Sequence, residues 1–175
     1  MTTLRALLAF AAVCLAAVLQ VSLFPHVAWH GIVPNICLLV VVGAALTRGP
    51  QFAMVLGFAA GVVLDLAPPA DHLAGRWALA LVVVGYVAGQ VRQHGRGDVR
   101  PTATTVVLTV AASSFVGTSL FALSGVVLGD PIAIPDLLQV IAVALLWDVL
   151  LTPFVLPSVM ALFRRLEPDH GVLAR

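Results

Sequence analysis

The sequence contains no lysine, one tyrosine and two cysteines, and only 10% of its 175 residues are charged. Soluble domains carry roughly 25% charged residues. A formal net charge of +1 gives no field to gather polyanions, which excludes a nucleic-acid-binding module. Cys14 and Cys37 stand singly inside apolar runs. With no CxxC pair and no Cys/His cluster, neither a zinc site, another metal site nor a disulfide is expected, and no cofactor is implied. The first apolar run continues to Phe24 with no A-x-A cleavage site after it, and Val13 before Cys14 suits a lipoprotein signal poorly. The first run therefore reads as an uncleaved helix.

What the chain does have is apolar length. Hydrophobic residues make up 61% of it, and its mean hydropathy is +1.10. This composition specifies an all-α polytopic membrane protein, residues 1–175 forming one integral membrane domain. Six apolar segments are expected to span: 6–24, 32–46, 51–66, 77–91, 102–128 and 136–163. Thr47-Arg48-Gly49-Pro50 makes a tight turn between the second and third, with proline placed to start a helix. With the N-terminus inside, Arg5, Arg48, Arg92, Arg96, Arg100, Arg164, Arg165 and Arg175 fall on the cytoplasmic side and Arg76 alone falls outside. That asymmetry requires an even number of spans and puts both termini in the cytoplasm of a bacterial inner membrane. Trp29 and Trp77 fall at the outer interface, where indole rings are favoured.

Three Gly-x-x-x-Gly pairs occur, Gly57/Gly61, Gly85/Gly89 and Gly125/Gly129, and Ala12/Ala16 has the same spacing. Such pairs flatten a helix face, either for internal packing or for another protein's helix. Polar groups inside apolar segments carry more information, because an unpartnered one costs several kcal/mol in hydrocarbon. Gln20, Asn35 and Asp65 come from three successive segments at a similar depth and predict a polar cluster. It would serve as glue between helices, as a partner contact or, less economically, as part of a proton relay. Asp148 lies near the middle of the sixth segment with no basic residue at its depth. The hydroxyls of Ser113, Ser114, Thr118, Ser119 and Ser124 on the fifth segment are its expected hydrogen-bond partners. His26 and His30 have the i, i+4 spacing of helical metal ligands but no third ligand. Arg92, Arg96 and Arg100 recur every fourth residue, suiting anionic lipid, a cytoplasmic protein or plain topology determination. Catalysis has little support: no Gly-x-Ser-Gly nucleophile, no histidine within a span, and Val63-Leu64 where an intramembrane aspartyl protease needs Gly-x-Gly before its aspartate.

The ordered residues Leu19-Gln20, Leu23-Phe24-Pro25, Gly31, Pro34-Asn35, Gly57-Phe58, Gly61, Leu64-Asp65-Leu66, Gly75 and Gly85-Tyr86 with Gly89 resemble the bacterial MreD family of rod-shape-determining proteins. Trp147-Asp148 with Pro153 and Pro157 matches that family more loosely. The resemblance implies a non-enzymatic membrane subunit of the cell-elongation machinery. It also implies association with MreC, with the polymerase RodA and its penicillin-binding transpeptidase, and indirectly with actin-like MreB. The implied role is a scaffold holding the single membrane helix of MreC. Gln20, Pro25, Pro34, Asn35, Gly57, Gly61, Asp65 and Asp148 are the candidate contacts, and Arg92, Arg96 and Arg100 form the cytoplasmic basic face. The family is also similar to the substrate-binding S components of energy-coupling factor transporters. That likeness supplies the alternative, a small-solute binder docking a transporter subunit through Ala12/Ala16.

Overall fold

A computed structural model describes residues 2–68, 73–94, 101–129 and 134–166. Among them the chain forms six helices: α1 (Thr2–Ser22), α2 (Ile36–Arg48), α3 (Pro50–Leu66), α4 (Arg76–His94), α5 (Ala103–Val127) and α6 (Ile134–Arg165). A 3-10 turn (Phe24–Val27) follows α1. Each expected apolar segment coincides with one helix. The starts of α1 and α2 shift most, by four residues each: α1 starts at Thr2 rather than at residue 6, and α2 at Ile36 rather than at residue 32. Pro34 has no N–H to donate, and the Asn35 side chain accepts from Leu38 N at 2.9 Å, fixing the helix start there. Gly49, at φ 86°, ends α2, and Pro50 opens α3.

Three helices, α1, α5 and α6, are long and apolar enough to cross a membrane. With 13 residues, α2 is about 20 Å long, well short of the ~30 Å hydrocarbon core. It is apolar on every side, so it can only be a core helix. Every residue from Ile36 to Thr47 is buried. The other helices pack around it. Gly43 admits Val159 of α6, whose Cγ1 would lie 2.5 Å from an added Cβ. Gly117 of α5 likewise faces Leu38 and Val84. The outward faces remain apolar, including Leu7, Leu15 and Val18 of α1 and Phe154 of α6. A surface of that kind belongs in lipid.

The closest helix pair is antiparallel α3 and α4, and glycine makes it possible. A Cβ on Gly85 would sit 2.6 Å from the Ala53 carbonyl oxygen, and one on Gly61 would sit 2.5 Å from the Trp77 carbonyl carbon. Gly57 lies against the Leu81 backbone and Gly89 against Pro50. Two of the three Gly-x-x-x-Gly pairs are therefore the two faces of one interface. The third is not a packing pair on one helix: Gly129 lies beyond the end of α5 at φ 95°, with no neighbour among the described residues near its Cβ position.

Candidate functional site

A helix that begins inside the protein leaves its first N–H groups without water, so other side chains must satisfy them. At α2 they come from three elements. The Asn35 N–H donates to Asp148 Oδ1 of α6 at 2.8 Å. The Cys37 N–H donates to Gln20 Oε1 of α1 at 3.2 Å. The Leu38 N–H donates to Asn35 itself. The second Asp148 oxygen accepts from the Ser114 hydroxyl of α5 at 2.7 Å. Asp148 is 0% exposed, and Gln20 and Asn35 are buried. The positive end of the α2 dipole and an acidic side chain thus meet at the centre of the molecule, the favourable sense of that interaction. The hydroxyl expected from α5 is present, supplied by Ser114 among the five candidates. The bond to α2 is an addition, because the residue numbers alone gave no reason to bring residues 35 and 148 together.

Asp65 performs the same task elsewhere. Its Oδ2 accepts from Gly75 N at 2.8 Å and Ala78 N at 3.1 Å, and its Oδ1 from Trp77 N at 3.0 Å. It is 3% exposed and closes the N-terminus of α4. The expected grouping of Gln20, Asn35 and Asp65 is therefore corrected. Gln20 and Asn35 join Asp148 at α2, while Asp65 binds the start of α4. Asp65→Ala leaves three helix-end amides without their carboxylate. With about 0.5–2 kcal/mol for a lost cap, and more when the acceptor is charged, a loss of about 2 kcal/mol is expected. Thermal melting in detergent gives the total. Hydrogen exchange should show the Gly75, Trp77 and Ala78 amides opening first.

Arg76 is a site residue that reading the sequence missed. The arginine distribution places it alone on the outer side, and the structure buries it at 6% exposed. Its guanidinium lies 4.2 Å from the Phe121 ring centroid, donates to Phe121 O at 2.9 Å and donates to Ser124 Oγ at 3.2 Å. Trp77 stacks on the same ring at 4.3 Å. Its signal was being the lone arginine on its side of the chain, next to a tryptophan. At the opposite end Arg48 lies 4.5 Å from the Phe52 ring centroid and donates to Leu166 O at 3.2 Å, tying the α2–α3 turn to the end of α6.

Of the remaining candidates, Pro34, Gly57 and Gly61 are buried and Pro25 is exposed in the 3-10 turn. Gly57 and Gly61 are occupied by α4, so another protein's helix could reach them only by displacing it. His26 and His30 do not share a helix face. The 3-10 turn ends at Val27, and Trp29 pairs with Ile32 across a turn in which His30 has φ 50°. Arg92 ends α4, half-buried. Arg96 and Arg100 lie outside the described residues.

Among the described residues, two grooves open on the apolar surface. One, of about 370 Å³, has α2 as its floor (Ile36, Val40) and α1 and α6 as its walls, with Ala12, Ala16 and Ser158 as small residues and no charged lining. The other, of about 710 Å³, lies between α5 and α6.

No curated protein and no solved structure was found to match the chain, so the expected likeness to S components finds no support. A family model described as rod shape-determining protein MreD matches residues 1–165, nearly all of it. The chain belongs to the MreD family of rod shape-determining membrane proteins.

Proposed function

We propose that this protein is a non-enzymatic scaffold of the cell-elongation complex that holds the single membrane helix of MreC in the groove over α2. Through MreC it would support peptidoglycan synthesis by RodA and its penicillin-binding transpeptidase, with MreB engaged indirectly. The reading includes six spans and both termini on the arginine-rich, cytoplasmic side, as the positive-inside distribution requires. A span as short as α2 fits because its buried end is capped by neighbours.

The observation that carries the partner assignment is the α1–α2–α6 groove. Ala12, Ala16 and Ser158 let a helix backbone approach closely, and an uncharged lining suits a helix in lipid. From Ala12 to the end of α1 at Ser22 the wall runs about 15 Å, about half the hydrocarbon thickness, and it continues through Leu23 and Phe24 of the turn that follows. The buried carboxylates contribute indirectly, by fixing the helices that form the groove.

Site-specific photo-crosslinking tests the assignment. A photoreactive residue at Leu15 or Ser158, on the groove rim, should give an MreC adduct. The same probe at Phe58 or Leu108, exposed on other helices, should not. Adducts from Phe58 or Leu108 in place of Leu15 and Ser158 would move the interface to α3 or α5.

A further inference from the structure

The larger groove differs from the first in one respect: it ends on a charge. Its α5 wall is Ala103, Val106 and Val107, its α6 wall runs from Val149 past Pro153 and Pro157, and Arg164 stands at its end. The two proline rings and Ala161 are short where long side chains would otherwise bridge to α5, which leaves the space open. From Val149 to Arg164 is about 22 Å along α6, and one leaflet of hydrocarbon is about 15 Å deep. The groove therefore traverses a leaflet, with an apolar trough inside and an exposed guanidinium at the boundary. A membrane helix would leave that cation unpaired, whereas a lipid with an anionic head satisfies both ends.

We propose that the α5–α6 groove binds an anionic phospholipid, one acyl chain along α6 and the phosphate at Arg164. Basic pockets between membrane helices select acidic headgroups in this way. Arg165 is adjacent and also exposed but does not line the groove, so it provides an internal control for charge alone.

The test is native mass spectrometry of the purified full chain in detergent, titrated with phosphatidylglycerol or with phosphatidylcholine of the same chains. The wild type should retain phosphatidylglycerol about fivefold better. Arg164→Gln should erase that preference while Arg165→Gln keeps it. Ala161→Trp, which fills the trough from an exposed position, should lower retention of both lipids without changing the melting temperature. Equal binding of the two lipids by the wild type overturns the proposal. So does loss of the preference with Arg165→Gln as readily as with Arg164→Gln, which would show diffuse attraction and no groove.

Discussion

Asp148→Ala should destabilise the protein by about 4 kcal/mol. The substitution removes the acceptor of the Asn35 N–H and of the Ser114 hydroxyl, at 2.8 and 2.7 Å. Each orphaned buried donor costs about 1–3 kcal/mol, and Asp148 is 0% exposed, out of reach of bulk solvent that could take the place of the carboxylate. The loss falls on α2, which the five other helices pack against, so it should reach the whole fold. Asp148→Asn should recover most of the stability, since an amide oxygen can still accept from Asn35 and the amide occupies the same space. Ser114→Ala added to Asp148→Ala should cost little more, because the two already share one interaction. Thermal unfolding of the four proteins in one detergent measures this. Asp148→Asn as damaging as Asp148→Ala would mean that the charge or proton of Asp148 matters beyond capping, and would reopen the proton-relay reading.

Gly61→Leu should be at least as severe. The Cβ alone would overlap the backbone of Ala78 and Trp77, and backbone cannot move aside as a flexible side chain can. Overpacking of a core costs about 1–3 kcal/mol and more where relief is impossible. Here α3 and α4 would have to separate along the face that also holds Gly57, Gly85 and Gly89. The Asp65 bonds to Gly75, Trp77 and Ala78 depend on the same approach. The expected result is little folded protein after detergent extraction, checked by size-exclusion profile and yield. Gly61→Ala is the milder test of the same contact and should lower the melting temperature while leaving a measurable protein. A stable Gly61→Leu would show that α3 and α4 are not so closely packed. Loss of MreC from either variant would report a failed fold before it reported a lost contact.

The helices were legible because apolar runs, proline and glycine mark them directly. Gly49-Pro50 announced the α2–α3 turn, and Asp148 with the serines of α5 announced a buried bond. What was not legible was the pairing of helix ends. Asn35 and Asp148 are 113 residues apart, and their contact depends on how α2 and α6 pack, a three-dimensional quantity. Depth along the chain placed Gln20, Asn35 and Asp65 together, but depth does not give the azimuth of each helix. Asp65 turned toward α4, the helix that follows it, where a carboxylate ten residues before the Gly75 amide can fold back onto it. The burial of Arg76 was not legible for a related reason. Charge counting assigns a side but says nothing of burial, and a guanidinium against an aromatic ring can be buried at modest cost. The glycine pairs were ambiguous between internal and external packing until both strips were seen to face one another.

The measurement closest to the central claim is affinity purification of the tagged protein from its own membrane in mild detergent, beside a Ser158→Trp variant and a Phe154→Trp control. Ser158 is an exposed residue of the groove wall, and Phe154 is exposed on the same helix outside the groove. Mass spectrometry should find MreC in stoichiometric amount with the wild type and with Phe154→Trp. It should find MreC depleted at least tenfold, a change of ~1.4 kcal/mol, with Ser158→Trp at an unchanged melting temperature. MreC retained in full by Ser158→Trp, or an ATPase pair with a coupling subunit in place of MreC, would contradict the account.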